Sequence, residues 1–147
     1  MRSPLTFLLS YDVAGTIAAH PISHLRSALL TDERIESAEF IGLALNGSHA
    51  VGLIIGERVH GVPALIWLTH VGQVLEIGGL FVEPAYRLEG VATRLTELAV
   101  DECRVLGRIP VAVTELGGLA HMAMSGTGAE ERAMFTSDGV RYAPWVF

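Results

Sequence analysis

A chain of 147 residues, half of them hydrophobic and only 18% charged, fits one domain spanning residues 1–147 with a core of its own, and excludes a disordered chain. No apolar run reaches the ~18 residues that cross a bilayer, so no membrane partner is expected. A net charge of −6 with no Lys/Arg cluster argues against a nucleic-acid partner and favours a cationic substrate such as an amine.

In chain order, residues 5–9 predict a first strand, and Asp12 caps a helix that runs to about His20. Pro21 interrupts it, and a second helix is predicted over residues 22–30. Two β-rich runs then flank Asn46-Gly47, a hairpin signal because both residues tolerate positive φ. Gly61 and Pro63 mark another turn, followed by the apolar run 64–71 and a long strand over 73–82. Residues 90–106 predict the clearest helix, with Val91, Leu95, Leu98, Cys103 and Leu106 near one stripe and Gly107 and Pro110 to stop it. A short buried strand follows at 110–115. Residues 117–128 are glycine-rich and leave a loop or a single helical turn open. Residues 129–139 predict a helix with acidic residues in its first turn, and 140–147 a closing strand with Pro144 near an edge. This order predicts an α/β (α+β) fold with a mixed, mostly antiparallel sheet, a parallel β-α-β crossover in the second half, and helices on both faces.

The turn between strand 73–82 and helix 90–106 holds Pro84, Arg87 and Gly90. Amides of a first helical turn have no intrahelical partner, and the helix dipole adds partial positive charge there. A phosphate satisfies both. Gly90 admits a ligand close to the backbone, and Arg87 adds full charge; the alternative is a tight turn with a surface arginine.

Arg87-Leu88-Glu89-Gly90-Val91-Ala92, after a strand ending Leu80-Phe81-Val82 and then Pro84, resembles the Q/R-x-x-G-x-G/A signature of the GNAT family of N-acetyltransferases. The resemblance covers residues 75–147 and agrees with the first half in element order. It implies acetyl-coenzyme A as co-substrate, its diphosphate held by amides near Arg87, Leu88, Gly90, Val91, Ala92 and Thr93. It also implies that the pantetheine arm lies along Leu80, Phe81 and Val82 as an added strand. Gly78 and Gly79 are then candidates for a bulge that splays this strand from the one at 110–115; close packing is the alternative.

Acetyl transfer to an amine needs a base, because an ammonium has no lone pair. Glu76, six residues before Val82, resembles in its spacing the glutamate of the family's histone-modifying branch and is the candidate base. Partial burial would raise its pKa. Its alternative is a solvent-facing or arginine-paired residue. Glu83 and Glu115 are weaker candidates with surface alternatives. The Val82 amide is a candidate donor to the developing oxyanion. The family's late motif N-x-x-A-x-x-x-Y-x-x-x-G-F, laid so that its glycine is Gly139, puts Phe135 at the tyrosine, Gly128 at the asparagine and Glu131 at the alanine. Phenylalanine has no proton to give, so the thiolate leaves unassisted or Tyr142 or Ser125 donates.

No metal is expected: His20 and His24 are separated by Pro21, His60 and His70 suggest a surface pair, and His121 lies in the glycine-rich stretch. Trp67 and Trp145 are packing residues, Trp67 with an interface or substrate cleft as its alternative. The lone Cys103 is a small core residue and agrees with a reducing cytoplasm. The apolar content leaves room for a homodimer. The implied activity is N-acetyl transfer to a primary amine of a small molecule, peptide or protein by direct attack in a ternary complex. The alternative is a non-catalytic acyl-coenzyme A-binding module that kept the cofactor fold.

Overall fold

The computed structural model describes residues 4–20, 32–58, 74–126, 128–131 and 134–147. The expectations for helix 22–30, for Trp67 and for the His60/His70 pair fall outside the described residues.

Strand β1 (Thr6–Ser10) leads into helix α1 (Val13–Ala19), whose start is capped as expected: the Gly15 amide donates to Asp12 Oδ1 at 3.2 Å. Helix α2 (Asp32–Ser37) precedes the hairpin of β2 (Ala38–Asn46) and β3 (His49–Arg58), which turns at Gly47 with φ +61°. Strand β4 (Val74–Val82), a 3-10 turn at Pro84–Tyr86, helix α3 (Val91–Val105) and strand β5 (Ile109–Glu115) form the crossover. Helix α4 (Leu119–Ser125) and strands β6 (Glu130–Glu131), β7 (Phe135–Ser137) and β8 (Val140–Val146) complete the chain.

Among the described residues the strands join in the order β1-β2-β3-β4-β5-β8-β6, with β7 also on β8. Only β4–β5 is parallel. Helices cover both faces. On one, Val13 and Ile17 of α1 and Ile35 of α2 pack on Ile41, Leu43, Leu53 and Ile55. On the other, Val91, Leu95, Ala99 and Cys103 of α3 pack on Phe40, Ile54, Leu75, Ile77 and Val82. Helix α3 ends as predicted: the Gly107 amide donates to the Arg104 carbonyl and the Arg108 amide to the Cys103 carbonyl, with Gly107 at φ +68°. Leu106, predicted on its buried stripe, lies past the last turn and is exposed.

The chain after β5 departs from the expectation. Among the described residues of 129–139 none is helical; the helix lies earlier, in the glycine-rich stretch, as α4. The reason is turn chemistry. Asp138 and Gly139 both take positive φ, +50° and +77°, and close a tight β7–β8 hairpin in which Ser137 faces Val140. Pro144 is buried inside β8, which has partners on both sides. Opposite Pro144, however, the outer partner passes from Glu131, facing Trp145, to Phe135, facing Tyr142, so its missing N–H falls at a break between those two strands.

One irregularity positions everything at the site. Leu53 faces Phe81 and Ile55 faces Gly78, so Gly79 and Leu80 together oppose Ile54. Gly79 sits at φ +62° in this bulge. Among the described residues, parallel pairing of β4 with β5 runs from Val74 to Glu76, so the two strands part just before the bulge, as Gly78-Gly79 suggested. Gly79→Ala should cost roughly 1–2 kcal/mol from the left-handed backbone alone, read as a fall of about 2–8 °C in Tm. An unchanged Tm would show that the bulge relaxes.

Candidate functional site

Past Glu76 the β5-facing edge of β4 has no strand partner among the described residues. Successive strand amides point to opposite sides. The Glu83 amide donates to the Val51 carbonyl of β3 at 2.8 Å, so the Val82 N–H and carbonyl face the open edge. There Arg87 Nε donates to the Val82 carbonyl at 2.9 Å, and the guanidinium lies 5.5 Å from the centre of the Phe81 ring. The arginine is thus tied to the strand while its charge stays at the mouth of the gap.

Helix α3 begins at Gly90, φ +80°, with no side-chain cap. Its first intrahelical bond runs from the Arg94 amide to the Gly90 carbonyl. The amides of Val91, Ala92 and Thr93 therefore precede the helical ladder. Leu88 also takes positive φ, +64°, and is 99% exposed. A Cβ built on Gly90 would meet nothing within 4 Å, so the space over this turn is open.

A groove of about 280 Å³ joins these parts. It is lined by Leu80, Phe81, Val82, Arg87, Leu88, Gly90, Val91, Ala92 and Thr93, all nine positions proposed for the co-substrate, together with Tyr86 and Met122. Neither of the last two carried a sequence signal; Met122 arrives through α4, and the Tyr86 hydroxyl accepts from Asn46 Nδ2 at 2.7 Å in the β2–β3 turn. A bare helix start, an adjacent guanidinium and an unpaired strand edge fit a diphosphate carrying an amide-bearing arm.

Glu76 is half-buried and projects from the face of β4 opposite that of Leu75 and Ile77, which pack under α3. Burial pushes its carboxyl up to about 7; the nearby Glu57 carboxylate adds to the rise and the Arg34 guanidinium opposes it. Glu57 lies directly across β3–β4 from Glu76 and is 4% exposed. Arg34 of α2 grips it, Nη2 at 2.6 Å and Nε at 3.2 Å from Oε1, and Ser37 Oγ donates to Oε2 at 3.2 Å. A Cβ on Gly78 would come 3.0 Å from Arg34 Nη2, so this guanidinium lies over the bulge. Sequence reasoning missed Arg34, Ser37 and Glu57. The available signal was Glu57 itself, a carboxylate ending the buried run of β3.

Tyr142 faces Glu115 across β5–β8, and Val111 of β5 stands beside Glu76. Since facing residues share a side and alternate residues return to it, Glu76, Glu115 and Tyr142 project from one face. The Tyr142 ring stacks on Phe135 at 5.4 Å.

Other candidates are occupied elsewhere. Glu83 Oε1 lies 3.0 Å from His49 Nε2, and Ser125 Oγ donates to the Met122 carbonyl at 2.8 Å. Burial pushes the Cys103 thiol up to about 12, which keeps it protonated in the core. His121 lies against Trp145, ring centres 5.3 Å apart, and Trp145 Nε1 donates to Thr114 Oγ1 at 2.8 Å. Among the described residues no cluster of three His, Cys, Asp or Glu could hold a metal, and no helix is long and apolar enough to cross a membrane.

The sequence matches the model of the acetyltransferase (GNAT) family over residues 7–120. Comparison with curated proteins gives no match. Solved structures of similar fold include yncA of Salmonella typhimurium with its cofactor acetyl-CoA, 15% identical, TM-score 0.69, covering 99% of this chain and 94% of that one. The IAA acetyltransferase from Bacillus cereus is 12% identical, TM-score 0.69, with coverage of 97% and 98%. An acetyltransferase of Bacillus subtilis in complex with CoA is 14% identical, TM-score 0.64, with 97% of each chain covered. At such identities these likenesses concern the fold. With the family match spanning strands β2 to β5, the bulge and the whole of helix α3, the chain belongs to the acetyltransferase (GNAT) family.

Proposed function

We propose that this chain, as one catalytic domain, is an N-acetyltransferase that moves the acetyl group of acetyl-coenzyme A to a primary amine of a small molecule, peptide or protein, by direct attack in a ternary complex. The observation that carries the reading is the groove in which all nine proposed residues meet beside a parted strand edge. The amides of Val91, Ala92 and Thr93, with Arg87, would hold the diphosphate, and the edge of Leu80 to Val82 the pantetheine amides. The thioester supplies the activated acyl carbon. The single buried Cys103 supports a reducing cytoplasm as its compartment.

Glu76 takes the proton from the incoming ammonium; a carboxyl titrating near 7 is matched to that task. The Val82 N–H, directed to the open edge, donates to the oxygen on which negative charge builds. Tyr142, on the same face as Glu76, gives its proton to the departing thiolate. A second reading, a non-catalytic acyl-coenzyme A-binding module, draws support from the acid position. Moved back eleven residues onto α4, the late motif gains Ala120 and Gly128 at its alanine and glycine, yet places Met124 at its tyrosine. Neither Met124 nor Phe135 can donate a proton.

Gly90→Ala should weaken coenzyme A binding at least about tenfold in calorimetry, because a methyl then stands where the backbone meets phosphate; unaltered affinity would remove the diphosphate assignment. Thiol release over a panel of amines separates the enzyme from the binding module. In that assay the wild-type rate should climb as pH passes about 7. Glu76→Gln should lower it by about 10²–10⁴ and abolish the climb. Since the folded-state pKa is raised from 4.5, the fold favours the protonated carboxyl. That advantage is complete below 4.5 and is lost as pH rises through 7. The Tm of Glu76→Gln should therefore gain on wild type over that interval. Tyr142→Phe should reduce kcat by about tenfold or more with little change in KM; an unchanged kcat would mean that the thiolate leaves unassisted.

A further inference from the structure

Two carboxylates directly opposite in a strand pair repel, and an unpartnered buried charge is strongly destabilising. Glu57 and Glu76 stand in that arrangement, yet they are treated unequally. Glu57 receives the Arg34 fork and the Ser37 hydroxyl, which hold it in one orientation. Glu76 stands directly across the strand pair from that clamped side chain. Resting on the reading of Glu76 as the base, we propose that Glu57 is a positioning residue for amine deprotonation: clamped by Arg34 and Ser37 across the strand pair from Glu76, it fixes the charge that Glu76 faces.

Among the described residues, the charged groups that act on Glu76 come from β3 and α2. From β3 comes Glu57, and from α2 comes Arg34; the β5 neighbour, Val111, carries no charge. The Arg34 guanidinium bridges the two functions of the region, because it holds Glu57 and lies over Gly78 at the bulge. Its positive charge opposes the influence of Glu57, so on top of the rise that burial causes, the two side chains push Glu76 in opposite directions. A merely structural ion pair would lose stability on removal of either partner. A positioning pair must move Glu76 in opposite directions when its two members are removed.

The test follows the Glu76 carboxyl by carbon-13 NMR, assigned with Glu76→Gln, alongside the pH–rate profile. Glu57→Gln keeps hydrogen-bonding capacity but removes the charge, and should move both midpoints down by about one pH unit or more. Glu57→Asp keeps the charge and should leave both near wild type. Arg34→Gln should move both up. If Arg34→Gln does not fold, the contrast between Glu57→Gln and Glu57→Asp decides alone. A carboxyl midpoint that stays in place in Glu57→Gln overturns the positioning role and leaves Glu76 as base intact. A midpoint that moves while the rate profile does not overturns the assignment of Glu76 as base, and the positioning role falls with it.

Discussion

Strand β4 has to satisfy two neighbours with different demands, and the bulge at Gly79 is where they part. On the β3 side it stays paired to Val82. On the β5 side it pairs for three described residues and then, among the described residues, has no strand partner. Unpaired backbone donors and acceptors can take new partners, and an edge opened in the middle of a sheet is the place where the proposed amide-bearing arm would add as a strand. The same bend carries the chain over Pro84–Tyr86 to the bare start of α3, so the edge and the turn proposed to hold the diphosphate come from one continuous segment.

The two faces of β4 divide the chemistry. Leu80 and Val82 face the side packed by α3, where the helix start meets the groove. Glu76 and Phe81 face the side of α1 and α2, where Glu57 and Arg34 lie. Because side chains alternate across a strand, residues only a few positions apart serve opposite sides of the sheet. The bulge is what allows both sides to reach one gap: it adds a residue to β4 without a matching one in β3, and so resets which face each later residue occupies.

The late part of the chain shows how a local signal can be misassigned. Glu130 and Glu131, followed by a glycine at 139, have the composition of a helical segment. Yet Asp138-Gly139 is also a hairpin dipeptide, and the hairpin forms, with β8 paired to β5 on one side and to β7 on the other. Displacing the helix to α4 has functional consequences. It brings Met122 to the groove and removes the helical setting from Phe135, whose ring instead covers Tyr142.

By itself the sequence determined the local features: the Asp12 cap, the Gly47 hairpin, the stripe and glycine stop of α3, and the run from Arg87 to Thr93 that opens a helix on bare amides. Each depends on contacts within a few residues, where spacing and residue type are sufficient. Gly78-Gly79 announced the bulge for the same reason, since few other residues accept its backbone. Tertiary structure alone decided what faces Glu76. Arg34, Glu57 and Glu76 come from three separate elements, and their charges meet only once strand register and helix docking are set. Proton affinity depends on burial and on distances between charges, and neither quantity exists in an unfolded chain.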